Sequence, residues 1–470
     1  MPLIRAICQH KYPYICRVIP RIAIEYLRDR RSIINSKPLI ISGARHVGKT
    51  TLIKEFSSEF DNCLSFNLEH PGDLAVFERF QDVDMLVKAM FLERNAPYET
   101  HNTLIFIDEI QESHNAIVQL HYLYEKYPDL HVIAAGSLIE HAFSKMPSLP
   151  AGQVEHFVLH PVSFHEYLLA LGQMGILAAF LETPVPGYAH HRLMQVYNDY
   201  AIVGGMPEIL SSFLTDGDYT RLAEIYDSQM TSYRNDILKY ARNLTLFNVM
   251  KHVIYSAPQQ ADKRVKFERF GESNYKSREV GEALRSLEFA RVLSLVYPTT
   301  STEAHCSSDL KKSPRLQFLD TGLVNHSLGL QKGLLGRQDL SSEYQGHIIR
   351  HLTTQELIAR NNSPLHNINF WVRQEPGSQA EVDLVYHAED ILIPVEVKSG
   401  KQGRLRSLHQ YMDQCPHPFA IRLYGGEFLL QSARTINGKN YQLLNLPYYL
   451  AGRIPEYAKW LVNSNSQFLS

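Results

Sequence analysis

Short apolar runs recur along the first third of the chain, each closed by a polar residue, and between them apolar positions fall at helical spacing. Pro38 to Ile41 is one such run, and Leu52, Ile53 and Phe56 follow on one helix face. Cys63–Asn67, Thr103–Glu109 and His131–Ser137 read as further strands, and Gln153–Pro161 as a fifth strand with a proline corner. Helical stretches separate them at about 72–93 and 113–126. Strands alternating with helices predict a parallel sheet whose ligand sits at the strands' C-terminal ends. The polar tips at 43–50, 108–109 and 137 all fall at such ends, so the topology brings distant residues to one crevice.

The pattern then changes. Ser163 and Glu166 give an S-x-x-E capping box for the next helix. Gly204-Gly205-Met206-Pro207 reads as a turn with no chemistry of its own. Residues 216–300 are mostly helical by periodicity, with Tyr233, Arg234 and Asp236 in the middle, and the polar residues 299–315 predict a loop. Phe370–Val372 and Glu381–Tyr386 read as a hairpin, with Ile391–Lys398 as the next strand. A period of two puts Val395 and Val397 on one face and Glu396 and Lys398 on the other, where Asp383 of the neighbouring strand joins them.

The chemistry is densest just after the first run. Gly43, Ala44, Arg45, His46, Val47, Gly48, Lys49 and Thr50 fit G-x-x-x-x-G-K-[ST], followed by Thr51 and a helix. Such a loop points several N–H groups at one spot above a helix N-terminus, which favours phosphate. Lys49 is placed to reach the β- and γ-phosphates of ATP, and the Thr50 hydroxyl to bind Mg²⁺. Downstream, the apolar strand ending in Asp108-Glu109 supplies the partner motif. Asp108 holds the Mg²⁺ shell, Glu109 polarises the attacking water as a general base, and Ser137 orients that water or senses the γ-phosphate.

Composition narrows the classes. The chain has 470 residues, a length that suggests about three domains. A formal net charge of −2 gives no global nucleic-acid signature. Residues 1–37 are the exception: eight Lys/Arg against Glu25 and Asp29, net +6, with Ile22, Ile24, Tyr26 and Leu27 suggesting a helix. It reads either as a phosphate-contacting arm or as a solvated face packed beside the core, and the second is favoured. Five scattered cysteines argue against a disulfide framework. The 22 histidines are scattered; His190-His191 and His156/His160/His165 could bind metal, but core or surface roles are favoured for them. The N-terminus is basic and lacks an apolar signal region, and the longest uncharged apolar stretch, Tyr167–Leu181, is fifteen residues, too short to span a bilayer. The expected compartment is the cytosol, with no membrane partner.

Taken in order, the motifs G-A-R-x-x-G-K-T, D-E, Ala-Gly136-Ser137, Pro161-Val-Ser-Phe-x-Glu166, Gly-Gly-Met-Pro, Leu-Asp320-Thr-Gly, Gly346, Glu356-Leu357 and Glu381-Val-Asp383 with Glu396-Val-Lys398-Ser-Gly400 resemble a large prokaryotic family of AAA-type ATPases that carry a C-terminal domain of unknown function. The resemblance covers about 20 to 450. It implies an α/β fold: a P-loop NTPase parallel sheet (AAA-type) of the additional-strand-glutamate class, a helical or winged-helix-like region, and an α/β restriction-endonuclease-like C-terminal domain. The expected divisions are 1–37, a basic helical segment; 38–215, the ATPase domain; 216–310, the helical domain; and 311–470, the endonuclease-like domain. Two positions depart from the family's pattern. Gln153 follows Gly152 where an arginine is common, and Arg350 stands where the helix after Gly346 usually carries a glutamate.

The C-terminal cluster has two readings. Asp383 and Glu396, with Glu356 from a preceding helix, suit a Mg²⁺ site for phosphodiester hydrolysis in which Lys398 orients water. Alternatively, they form a buried, mutually neutralising network, with Arg350 standing in for the metal. The expected function is an ATP-hydrolysing switch or motor that grips DNA or a protein partner. An ATP-gated interaction protein with negligible turnover and an ATP-regulated nuclease are the alternatives. AAA-type proteins usually take a catalytic arginine from a neighbouring subunit, which implies a homo-oligomer. Arg192 and Arg234 are the candidates here, Arg45 being inside the loop itself.

Overall fold

The structure, a computed structural model, describes residues 18–33, 35–137, 139, 152–304, 307–331, 346–363, 368–375, 379–398 and 405–464. Arg5, Lys11, Arg17, Ser399 and Gly400 therefore lie outside the described residues. Helix α1 (Ala23–Arg31) precedes a parallel sheet of β1 (Leu39–Ser42), β2 (Asn62–Asn67), β3 (Thr103–Asp108), β4 (Leu130–Gly136) and β5 (Glu155–Val158). Its order is β2-β3-β4-β1-β5, so β4 is inserted between the strand that feeds the phosphate loop and the strand that ends in Asp108.

Strand periodicity explains how the sheet is covered. Leu39, Ile41, Leu104, Phe106, Ile133 and Phe157 face one side and pack with α1 and α2 (Lys49–Ser57). Ile40, Leu64, Phe66, Ile105, Ile107 and Val132 face the other and pack with α3 (Pro71–Arg79), α4 (Val83–Glu93) and α5 (His114–Lys126). Both faces of the inner strands β1, β3 and β4 are buried, which is why these three read as near-continuous apolar runs. The sequence pattern merges α3 and α4 into one helical stretch; a break at Phe80 and Asp82, whose carboxylate caps Met85 N at 3.0 Å, separates them.

The basic N-terminal helix is not a free arm over its described part. Ala23, Ile24 and Leu27 are buried, Arg28 pairs with Glu59 at 2.7 Å, Arg30 with Glu155 at 2.9 Å, and Arg31 donates to Asn102 at 2.8 Å. Its cations neutralise acids of the same molecule, as the packed-face reading expects.

After β5 come α6 (Phe164–Leu171), α7 (Met174–Leu181), α8 (His190–Val203), α9 (Pro207–Asp216), α10 (Tyr219–Tyr240) and α11 (Leu244–Ser256). Residues expected to be mostly helical then include pairing as well. Segment 261–265 bonds to the strand β8 (Arg315–Phe318), helix α12 (Ser277–Phe289) follows, and β6 (Leu293–Val296) runs antiparallel to β8. The chain does not change unit at 310. β7 (Pro298–Thr299) already joins the C-terminal sheet beside β9 (Asn369–Val372), whereas β8 returns to β6. A two-residue strand inside a polar run carries no periodic signal, so the sequence pattern could not show it.

The C-terminal sheet has seven strands in the order β13-β14-β12-β11-β10-β9-β7. These include β10 (Glu381–Ala388), β11 (Ile391–Val397), β12 (Phe419–Tyr424), β13 (Leu429–Arg434) and β14 (Asn440–Pro447). The expected hairpin is present, β9 and β11 both running antiparallel to β10. Helix α13 (Thr321–Ser327) and helix α14 (Gly346–Ala359) lead into this sheet, α15 (Arg406–Gln414) packs on one face with Trp371 and Leu392, and α16 (Ile454–Ser464) joins the main core with Val395 and Leu423. No helix among the described residues is long and apolar enough to cross a membrane.

Candidate functional site

The phosphate loop leaves β1 and enters α2 at Lys49. Gly48 sits at φ 94°, a left-handed conformation that a side chain disfavours. A Cβ at Gly43 would lie 2.4 Å from the Leu159 carbonyl, so only glycine lets the loop pass the end of β5. The Lys49 ammonium is buried and donates to the carbonyls of Gly43 and Ala44, each at 3.0 Å. Burial pulls it below the ordinary lysine range, while the nearby Glu109 and Asp108 carboxylates oppose that shift.

From the other side of β4, the Asp108 carboxylate accepts from the Thr50 hydroxyl at 2.7 Å. Burial raises Asp108 above the usual carboxylate range; the Thr50 hydrogen bond lowers it and the Glu109 charge adds to the rise. Two hard oxygen donors from separate motifs thus meet at one point, a donor set that fits Mg²⁺. Glu109 adopts φ 51°, unusual for a non-glycine, and this kink turns its side chain away from the strand line into the cleft. Gln111 Nε2 donates to Glu109 Oε2 at 2.6 Å, and its Oε1 lies where a Cβ at Gly136 would be only 2.1 Å away. Gln111 therefore bridges Glu109 to the tip of β4. Ser137 sits buried at that tip, beyond the residues that wall the cavity.

The cleft has a volume of about 460 Å³. Of the expected residues, Arg45, His46, Gly48, Lys49, Thr50, Thr51 and Glu109 line it, while Val47 is buried in the loop's underside. Two stretches of its wall were not legible in the motifs. Val18, Ile19 and Arg21 come from the N-terminal segment, and Pro207, Glu208 and Ser211 from α9. The Gly-Gly-Met-Pro turn therefore does more than turn. Gly204 at φ 76° packs against Gly322, the Gly205 N–H donates to Asp320 at 2.6 Å, and this pins the start of α9 over the cleft. Arg21 donates to the Val47 carbonyl at 2.7 Å and the His160 carbonyl at 2.6 Å, and pairs with Glu166 at 3.1 Å, so it clamps the loop from behind. Arg45 pairs with Glu69 at 2.9 Å and Asp236 at 3.0 Å, and Tyr233 donates to its carbonyl at 2.7 Å, which fastens α10 to the loop.

The arginines proposed as fingers are elsewhere. Arg192 contacts Gln195 and Gln173 at 3.4 Å on the surface, and Arg234 lies over the Tyr255 ring at 5.7 Å. Neither walls the cavity.

At the C-terminal cluster, Asp383 of β10 and Glu396 of β11 lie beside one another, and Lys398 pairs with Glu396. Arg350 fills the space between acids. It donates to Asp383 Oδ1 at 2.7 Å and to Asp262 Oδ2 at 2.6 Å, and the Val397 N–H donates to Asp383 Oδ2 at 2.8 Å. Burial alone would lower the guanidinium, but the Asp383 and Asp262 charges outweigh it and hold Arg350 above the ordinary arginine range. Burial, with the Asp383 charge adding and Lys398 opposing, raises Glu396. Among the described residues no three His, Cys, Asp or Glu side chains are grouped to hold a metal ion.

Glu356 does not belong to this cluster. It lies six residues beyond Arg350 on α14, about 120° around the helix, so the two face different neighbours. Its carboxylate accepts from Phe164 N at 3.0 Å and from the Tyr200 hydroxyl at 2.6 Å, capping α6 across the domain boundary. Burial raises it to about 7. The folded state then holds a proton that the unfolded chain releases near the ordinary glutamate value of about 4.3. The resulting stability is complete below that value and is lost as pH rises through about 7. Glu356→Gln, which keeps both acceptor contacts, is expected to flatten the fall in melting temperature between about pH 5 and 8 and to be the more stable protein at the upper end. Thermal melts of both proteins across that range check it; parallel curves would refute the assignment.

Comparison with known proteins places these units. Residues 35–168 match an AAA domain, 194–333 a domain of unknown function (DUF8612), and 345–449 a domain of unknown function (DUF4143). No curated protein matches the chain. Among solved structures, the chain is similar to one of Drosophila ORC bound to DNA, with 15% identity over 66% of this chain and 94% of that one and a TM-score of 0.27. It is also similar to Cdc6p from Pyrobaculum aerophilum, with 9% identity over 68% of this chain and 95% of that one and a TM-score of 0.26. The first sheet, with its inserted β4 and its loop, is thus an AAA-type P-loop domain.

Proposed function

We propose that this chain is an ATP-binding and ATP-hydrolysing AAA-type switch whose helical and C-terminal parts grip a partner, DNA being the favoured candidate. The observation that carries the ATPase reading is the meeting of Thr50 and Asp108 across β4, with Glu109 on the cleft wall beside Lys49. The loop N–H groups and Lys49 bind the phosphates; Thr50 and Asp108 would hold Mg²⁺, which supplies charge neutralisation at the β- and γ-phosphates. Glu109 takes a proton from the attacking water, and Ser137 assists at the tip of β4. Val18, Ile19 and Pro207 give the cleft wall an apolar part suited to the adenine ring.

One observation favours a low basal rate. Gln111 Nε2 donates to Glu109 Oε2 at 2.6 Å, so the amide competes with the attacking water for that oxygen. The reading as an ATP-gated interaction protein therefore stands as the second. The C-terminal domain is proposed as an endonuclease-like core without cleavage activity, because Asp383 already has protein donors on both oxygens.

Arg21 and Arg45 reach the cavity, but each is bound to carboxylates. A cation for the transition state would then come from a second copy of the chain, and specific ATPase activity is expected to rise with protein concentration. Steady-state hydrolysis across a wide concentration range, with and without duplex DNA, tests the proposal. A flat profile together with a monomer by light scattering removes the arginine supplied in trans; no hydrolysis under any condition leaves the second reading.

A further inference from the structure

We infer that α11, the segment 261–265, α12, β6 and β8 form a winged-helix-like element that binds duplex DNA through the solvent face of α12. The inference deepens the switch reading, on which it rests for the partner's role, but not for the binding itself. Its first support is topological. The order is helix α11, the segment 261–265 paired with β8, a 3₁₀ turn at Phe270–Glu272, helix α12, and the antiparallel pair β6–β8. A 3₁₀ turn stands where a winged helix has its second helix, and α12, between that turn and the β6–β8 pair, takes the place of the recognition helix. Val280, Ala283, Leu284 and Leu287 pack α12 against α11 and the sheet. Arg278, Glu282, Arg285 and Phe289 form the opposite stripe, and Arg278, Arg285 and Phe289 on it are exposed.

The second support is the charge left over once internal pairs are made. Between Lys263 and Arg278 there are six Lys/Arg and two acids, Glu268 and Glu272, in a chain whose net charge is −2. The acids of α12 are all engaged. Glu279 accepts from Lys276 N at 2.9 Å, Glu282 pairs with Arg242 at 2.6 Å, and Glu288 accepts from Leu295 N at 2.8 Å. Lys263, Lys266, Arg269, Lys276, Arg278 and Arg285 are exposed and make no ion pair among the described residues. This contrasts with α1, where the cations are paired internally. Two contacts gather the free ones. Phe267 seats against Gly281, where a Cβ would meet its ring at 3.2 Å, and Arg269 N donates to the Tyr275 carbonyl at 3.2 Å. Lys266, Arg269, Lys276 and Arg278 therefore crowd the N-terminal half of α12, the part of a recognition helix that meets base edges and phosphates. A helix of 13 residues fits a major groove about 12 Å wide. An acidic protein surface would suit the charge but not the helix-in-groove shape, so duplex DNA is the partner chosen.

The test is fluorescence anisotropy of the full-length protein with a labelled mixed-sequence duplex, in the absence of nucleotide. Binding with a dissociation constant on the order of micromolar at moderate salt is expected, with a log–log salt slope near −4 for some four or five phosphate contacts. Arg278→Glu combined with Arg285→Glu should weaken binding at least about 10-fold and make the slope shallower by about 2, with an unchanged melting temperature and unchanged DNA-free ATPase. Glu268→Lys should tighten binding and steepen the slope. Unaltered affinity in the double variant, preference for single-stranded DNA or an RNA hairpin of equal length, or no duplex binding at low salt would each overturn the inference. Lys49→Ala should bind duplex as the wild type does, so failure of the ATPase reading and failure of this one give different results.

Discussion

Glu109→Gln is expected to bind ATP as tightly as the wild type and to hydrolyse it at least about 10²-fold more slowly, the scale of losing a general base. Lys49→Ala is expected to fail one step earlier, at nucleotide binding. The difference follows from position. Lys49 is buried at the loop, where phosphate binds before reaction, and its ammonium already sits on loop carbonyls at 3.0 Å. Glu109 is on the cleft wall, kinked out of β3 at φ 51°, with its carboxylate held by Gln111. Glutamine keeps that size and a hydrogen-bonding tip but cannot take a proton from water, so ground-state binding survives and the transition state suffers. ATP affinity by equilibrium titration and hydrolysis at saturation separate the two. Wild-type turnover in Glu109→Gln would show that another group activates the water.

The parts of this site that were legible in the sequence are those set by local pattern. A glycine-lysine loop between an apolar run and a helix, and a strand ending in Asp108-Glu109, carry their geometry with them, and the structure brings Thr50 and Asp108 to 2.7 Å. That Glu396 and Lys398 share a face of β11 was readable from a period of two, and Asp383 lies near Glu396 on the neighbouring strand. What was not legible depends on long-range docking. Arg21 meets Glu166 across 145 positions, and no spacing rule marks an arginine for a distant capping glutamate. Glu208 reaches the cleft only because Gly205 is tied to Asp320, far along the chain. Glu356 was placed with the wrong partners because sequence order said which helix it was on, but not which side of that helix meets the sheet.

Arg350→Ala is expected to destabilise the C-terminal domain by about 3–5 kcal/mol, because it leaves buried carboxylates without their cation. The Asp262 side chain is 1% exposed and that of Asp383 9%, and Arg350 bonds both at under 2.8 Å. Arg315 is close, but its Nε is 3.9 Å from Asp262 and one of its amino groups is taken by the Asp383 main-chain carbonyl at 2.7 Å, so it does not replace the lost pairs. Asp383→Ala should cost less, since Arg350 keeps Asp262, although Val397 N loses its acceptor. Arg350→Met combined with Asp262→Asn and Asp383→Asn should recover most of the loss, as neutral replacements of buried pairs often do. Thermal and denaturant melts of the set read the order directly. The same geometry predicts that millimolar Mg²⁺ leaves the wild-type melting temperature unchanged and that supercoiled DNA is not nicked, because the guanidinium already neutralises the acid pair that a metal would need. Robust Mg²⁺-dependent nicking that disappears in Asp383→Ala would mean that Arg350 moves aside for the metal, and a stable Arg350→Ala protein would mean that the carboxylates are solvated or protonated at no cost.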